Sequence, residues 1–262
     1  RMVENPLVLS SGRYEMNFDE LATCAADPRT TMLFLCNPHN PVGRVWTKAE
    51  LTQLGAICRQ NGVVVVSDEI HADITFQNFP YTPFASISDA DAQNSITCLS
   101  PAKSFNIAAC CGAFTVVSDE NRRNALKAEN SRLTVNKNNA FASVAMEVAY
   151  KDGGPWLDAA IAYIEGNLSL VRARLSDIPE ASLIEPEGTF LIWLDFRQLG
   201  LSPSELTEFL RCEAGWAITR GIAFGDSGAG FGRLNIACPR ARLERALDRL
   251  VQAISKTRDT AQ

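Results

Sequence analysis

The sequence predicts an α/β protein, a three-layer, mostly parallel sheet domain followed by a smaller α+β domain. Two features carry that prediction. Short β-like runs alternate with helix-period patterns through the first half of the chain, and the runs are unbroken and apolar, as strands covered on both faces are. After Gly153-Gly154 the pattern changes to one long amphipathic helix and then to strands and helices in α+β order. The division is placed there, with residues 1–153 as the large domain and residues 154–262 as an interdomain helix and a small C-terminal domain.

TMLFLC (31–36) reads as a buried strand that runs into the turn-rich NPHNPVG. A helix follows, with Thr47 as N-cap, Glu50 three residues later, Leu51, Leu54, Ile57 and Cys58 as its apolar stripe, and Asn61-Gly62 as its stop. VVVVS (63–67), SITCL (95–99) and GAFTVV (112–117) read as further strands of the parallel sheet. From Pro155 the apolar positions 157, 161, 164, 168, 171 and 175 describe one long helix, even with Gly166 inside it. Next come a strand at TFLIWLDF (189–196), a short helix over about 203–212, a strand around Trp216 to Thr219 and a strand at GRLNIA (232–237). The last helix starts near Pro239 and sets Leu243, Leu247, Leu250 and Ile254 on one face.

The 262 residues suffice for a substantial core, and 46% hydrophobic with 21% charged residues is a globular composition. No apolar run approaches the roughly 20 residues needed to cross a bilayer. The opening residues lack the zones of a secretory leader, so a cytoplasmic protein is expected. A net charge of −5 without any basic block argues against a nucleic-acid partner. The eight cysteines are scattered without a CxxC pair, and only two histidines could join them. Buried free thiols are therefore expected, and no metal site.

Polar residues collect just past the carboxyl ends of the predicted strands, where open α/β sheets place their sites. Asp68 and Glu69 follow a strand, and either serve chemistry or cap the next turn. CNPHNPVG holds Asn40 in a turn stiffened by two prolines. Lys103, in SPAKSFN, is the only lysine between Lys48 and Lys127. Apolar surroundings would suit it to act as a nucleophile or base, and a snorkelling surface lysine is the alternative. Arg233 opens a strand after the glycine-rich GIAFGDSGAG, as a carboxylate clamp or as a salt-bridging residue.

In combination LFLCNPHNPVGRVW, VVSDEIHADI, AKSFNIAA, GTFLIWLDFR and GRLNIACPR resemble the fold-type I pyridoxal-phosphate enzymes, the aminotransferase class I/II superfamily. The likeness is greatest to its cystathionine β-lyase (MalY/PatB-like) branch. The resemblance implies a pyridoxal 5'-phosphate cofactor carried by Lys103, which also removes the substrate's Cα proton. It implies Asp68 as partner of the pyridine nitrogen, with Asn40 and His71 on the phenolic oxygen. Ser100 is implied as a phosphate-binding hydroxyl and Arg233 as the clamp of the substrate α-carboxylate. Arg240 is expected to be structural or at the rim of the site. A histidine at position 71, where most of the superfamily has tyrosine, favours the lyase branch.

The implied reaction is α,β-elimination of L-cystathionine or related S-substituted cysteines to pyruvate, ammonia and a thiol, by a homodimer. Two departures accompany the resemblance. Cys111 stands eight residues after Lys103, where many members carry a phosphate-binding arginine. The chain also starts where a first strand, a glycine-containing phosphate loop and a ring-stacking aromatic residue would already have passed, so an incomplete large domain is expected. An aminotransferase, and a catalytically silent or interaction-only protein, stay open as alternatives.

Overall fold

The computed structural model describes residues 1–135 and 139–260. It divides into two compact units. The first comprises Arg1–Ser10, Tyr14–His39 and Arg44–Ala159; the second comprises Ser11–Arg13, Asn40–Gly43 and the chain from Ala160 onward.

The chain opens with a hairpin of β1 (Val8–Ser10) and β2 (Arg13–Glu15), joined by Ser11 and Gly12, both at positive φ. Helix α1 (Phe18–Ala26) is capped by Asn17, whose Oδ1 accepts from the Glu20 amide at 3.2 Å. Strand β3 (Met32–Cys36) leads through the proline-rich turn to α2 (Lys48–Gln60). At the start of α2, Thr47 and Glu50 form the reciprocal capping box that their spacing predicts. Then come β4 (Val64–Asp68), α3 (Asp89–Gln93), β5 (Ser95–Leu99), the one-turn α4 (Pro101–Ser104), β6 (Phe114–Val116), α5 (Glu120–Arg132) and α6 (Ala140–Asp152).

The large sheet has the order β3-β4-β5-β6. β3, β4 and β5 are parallel, and β6 pairs with β5 antiparallel. The expectation of a parallel strand at 112–117 is therefore corrected. The stretch from Leu99 to Phe114 holds only the one-turn α4 and a 3₁₀ turn, Ala108–Cys110, and no helix of the kind that usually carries a chain back for a parallel return.

The expectation of cover on both faces is corrected as well. One face meets a core of Leu21 and Ala25 from α1, Leu51, Leu54 and Cys58 from α2, and Leu35, Val65, Trp46 and Phe84. On the opposite face Met32 is 46% exposed and Phe34 78%, while Val64, Val66, Ile96 and Cys98 are half-buried. Apolar strand residues therefore line an open sheet face among the described residues.

In the second unit, the latter part of α7 (Gly154–Leu175) buries Ile164, Leu168, Val171 and Leu175, as its spacing predicts. The small sheet has the order β7-β8-β10-β9, all antiparallel, from β7 (Ser182–Ile184), β8 (Leu191–Asp195), β9 (Thr219–Arg220) and β10 (Phe231–Asn235). Between β8 and β9 lies α8 (Pro203–Glu208), capped by Ser202 with Glu205 and continued by a wider π-type turn. The last helix, α9 (Arg240–Thr260), buries Leu243, Leu247, Leu250 and Ile254.

All eight cysteines are free thiols, but only Cys58 is fully buried, while Cys111 and Cys212 are exposed. No helix among the described residues is long and apolar enough to cross a membrane.

Leu51 is completely buried in the α1–α2 core. Leu51→Ala is expected to cost about 2–5 kcal/mol through lost transfer energy and a residual cavity. Gln53→Ala, on the exposed side of the same helix, should stay within about 0.5 kcal/mol. Urea denaturation of the two variants checks the contrast.

Candidate active site

Asp68 is the last residue of β4 and pairs across the sheet with Cys36 of β3 and Cys98 of β5. Paired residues point to the same face of a sheet, so these three side chains share the open one. The Asp68 Oδ1 accepts from the Ile70 amide at 3.2 Å, and no basic side chain pairs with it among the described residues. Its half-buried carboxylate is thus held by the turn behind it.

Glu69 lies opposite in environment, only 1% exposed. Its Oε1 accepts from Ser67 Oγ at 2.7 Å and from the Phe84 amide at 3.0 Å, and its Oε2 accepts from the Tyr81 hydroxyl. Burial raises the Glu69 pKa above the usual carboxylate range, against the three hydrogen bonds that lower it. Burial and the Glu69 charge push the Tyr81 phenol up. The sequence left Glu69 between chemistry and capping the next turn; in the structure it fastens the long return loop to the end of β4.

That loop carries His71, which is buried and whose carbonyl accepts from the Ile74 amide at 2.9 Å. The other histidine, His39, sits edge-on to Trp46 with ring centroids 5.8 Å apart. Burial, and then the positive charge of Arg44, lower its pKa to about 4. Arg44 itself is buried, donates to the Tyr14 carbonyl and to Glu50 at 2.8 Å, and lies 4.5 Å over the Trp46 ring.

β5, the parallel neighbour of β4, ends at Leu99 and hands over to α4. Ser100 caps α4, its Oγ accepting from the Ala102 amide at 3.1 Å and donating to the Gly112 carbonyl at 2.6 Å. Its hydroxyl proton is therefore committed to the protein backbone. Lys103 lies on α4 and is exposed, with no ion-pair partner among the described residues. Of the two sequence readings, the exposed side chain matches the surface lysine, and no apolar enclosure surrounds it among the described residues. Cys111 is exposed with a left-handed backbone, φ 53°.

The second unit holds Asn40 and Arg233. Register places Arg233 of β10 beside Trp193 of β8 and Thr219 of β9, on one face of the small sheet. Its Nη1 donates to Asn40 Oδ1 at 2.8 Å and its Nη2 to Thr219 Oγ1 at 3.1 Å, and its guanidinium lies 4.9 Å over the Phe224 ring. No acidic side chain pairs with it among the described residues, and burial pulls its pKa below the ordinary arginine value. A half-buried cation held by two neutral oxygens and an aromatic face is electrostatically suited to an incoming carboxylate.

Asn40 is steadied by the turn that follows it. Gly43, at φ 74°, packs against Pro186 so closely that a Cβ would lie 2.7 Å from the proline's, and its carbonyl accepts from the Glu187 amide at 2.8 Å.

Arg240 is fully engaged within its unit. Its Nε donates to Asn167 Oδ1 at 3.0 Å and its guanidinium stacks 4.8 Å over Tyr163. Asn167 in turn donates to the Ile236 and Cys238 carbonyls. Gly166 is the residue that leaves room, since a Cβ there would sit 2.4 Å from Arg240 Nη2.

The structure therefore gathers Asp68, His71, Ser100 and Lys103 at the carboxyl ends of adjacent strands in one unit, and joins Asn40 to Arg233 in the other. The chain belongs to the aminotransferase class I and II family, whose model matches residues 7–250. It is 42% identical over 255 residues to the cystathionine β-lyase PatB of Bacillus subtilis, covering 97% of this chain and 66% of that protein. To the protein MalY of Escherichia coli it is 35% identical over 241 residues, covering 91% and 61%. Among solved structures it matches cystalysin from Treponema denticola, which contains a pyridoxal 5'-phosphate cofactor. The TM-score is 0.93 at 32% identity, over 97% of this chain and 65% of that one. The chain thus spans just under two thirds of the length of these relatives.

The raised Glu69 pKa makes a signed prediction. The folded state holds this proton where the unfolded chain has lost it, so stability should fall as pH rises above the ordinary glutamate range. Glu69→Gln should flatten that slope in thermal melts taken across pH. Glu69→Ala should cost roughly 1–3 kcal/mol for each buried donor left unsatisfied.

Proposed function

We propose that this chain carries the lysine-bearing and carboxylate-binding parts of a pyridoxal-phosphate-dependent carbon–sulfur β-lyase. The substrate class is L-cystathionine and related S-substituted cysteines, which α,β-elimination converts to pyruvate, ammonia and a thiol. The observation that carries the reading is the half-buried Arg233, which has neutral partners and no acidic one among the described residues. The likeness to the cystathionine β-lyase PatB and to cystalysin with its bound cofactor supports the same class.

The residues present fit pyridoxal phosphate at two ends. Lys103 offers an exposed amine at the end of β5, and Asp68 offers a carboxylate without a basic partner at the end of the adjacent β4. The fit at the phosphate is poorer, because the Ser100 proton is donated to Gly112. When bound, the cofactor supplies an electron sink for the negative charge that develops at the substrate Cα.

The chain's own groups do the rest. Asp68 holds a proton on the pyridine nitrogen through an ion pair that also compensates its partial burial. Asn40 accepts from Arg233 through Oδ1, so its NH₂ end is the one able to donate to the phenolic oxygen. His71, buried in the turn after β4, donates there as well. Arg233 grips the α-carboxylate and so fixes the direction of the Cα–H bond. Lys103, as a neutral amine, takes the Cα proton. The Cβ–S bond breaks, the thiol leaves, and water completes the conversion of the three-carbon remainder to pyruvate and ammonia. The assembly proposed is a cytoplasmic homodimer, which light scattering of the purified chain tests.

Incubation with pyridoxal phosphate should produce the visible absorbance of a lysine-bound cofactor, absent in Lys103→Ala. With L-cystathionine, pyruvate should then form without any 2-oxo-acid acceptor. Dependence on such an acceptor would instead make the protein an aminotransferase, and no cofactor uptake would support the non-catalytic alternative. Lys103→Ala should lower the pyruvate rate by about 10²–10⁴-fold as a lost general base. Arg233→Lys should raise KM by roughly tenfold or more by ending bidentate recognition.

A further inference from the structure

Two residues of the quoted motifs have no part in the reading above, Asp73 of DEIHADI and Ser104 of AKSFN. The structure joins them: Ser104 Oγ donates to Asp73 Oδ2 at 2.6 Å. Ser104 is 3% exposed and its hydroxyl has no other partner among the described residues.

Their positions give the bond its meaning. Ser104 immediately follows Lys103, and Asp73 lies two residues beyond His71 in the turn after β4. The bond therefore ties the segment after β5 to the segment after β4. α4 is a single turn, and a helix that short has little stability of its own. Its start is held by Ser100 on the Ala102 amide. Its end is held by Ser104 on Asp73, and by Phe105 packed edge-on to Tyr150 with ring centroids 5.8 Å apart. Lys103 is exposed, so its flexible side chain is aimed only as well as the backbone beneath it is fixed.

We propose that Asp73 and Ser104 are positioning residues for Lys103, locking the one-turn helix that carries the amine onto the turn that carries His71. The proposal rests on the reading of Lys103 as the cofactor lysine. Either end can be cut without emptying the core, since Asp73 is exposed and Ser104→Ala removes one oxygen atom.

Two readouts test it on the wild-type chain, Ser104→Ala, Asp73→Ala, the double variant and Ser104→Thr. One is amide hydrogen exchange across residues 69–76 and 101–107. The other is the yield of pyridoxyl group fixed on Lys103 by borohydride at limiting pyridoxal phosphate, located by mass spectrometry. Both segments should exchange roughly tenfold faster in each single variant, and Lys103 labelling should fall by a similar factor. The double variant should be no worse than either single one, and the threonine should restore both signals.

Wild-type exchange in the single variants would overturn the proposal. So would faster exchange with undiminished labelling, or losses that merely follow a lowered melting temperature. A wild-type chain that is never labelled at Lys103 would overturn the cofactor reading instead. The exchange result then decides the anchor by itself.

Discussion

The register that sets Cys36, Asp68 and Cys98 side by side governs which side chains meet at this end of the large sheet. Three parallel strands must release their chains at the same edge, so the turns after β3, β4 and β5 are gathered there. Position along β4 then selects the face. Val65 and Ser67 are buried on the helix-covered side, and Asp68 is half-buried on the other. A slip of one residue would exchange the two faces, sending the Asp68 carboxylate toward the α1–α2 core. A charge buried there without a cation would carry a large desolvation penalty. The apolar pattern of the strands and the placing of Asp68 are therefore a single constraint.

Glu69 extends that constraint from the strand to the loop. Turned inward, it collects Ser67, Tyr81 and the Phe84 amide, so the ends of a loop of some length are fastened to one carboxylate. A loop closed in this way loses entropy once, and its interior residues are then cheap to order. His71 is buried and Asp73 reaches Ser104 within that closed loop. Adjacent carboxylates thus do different work, one organising backbone inside the protein and one presented on an open face.

Much of this was readable in the sequence where the signal is local. The Thr47–Glu50 capping box, the buried leucines of α9 and the continuation of α7 through Gly166 all rest on spacings of three or four residues. The direction of β6 was not readable, because an apolar run looks the same in either direction and only its connection decides. Three-residue strands such as β1 and β2 are too short to show a period. Asp68, Lys103 and Arg233 stood out because each follows or opens a strand. Glu69 and Ser100 did not disclose their partners, since Tyr81, Phe84 and Gly112 lie 12 or more residues away with no periodicity linking them. The open sheet face was equally hidden: burial depends on what packs above a strand, and the strand's own residues do not record it.

Two arginines seven residues apart in the same motif show how structure separates a cation left without a closed network from one built into the fold. Both stack on an aromatic ring and both donate to an asparagine oxygen. The difference lies in what those partners do. Asn167 is buried and spends its own amide on two backbone carbonyls, so Arg240 completes a closed network that pins the start of α9 to α7. Arg233 is held by the half-buried Asn40 and Thr219, and neither supplies negative charge. Neutral oxygens orient a guanidinium without neutralising it, so the desolvation that lowers its pKa stays uncompensated. An anion that arrives with its own charge removes that penalty and gains bidentate geometry as well. Binding strength at such a site comes from a cost already borne by the folded protein.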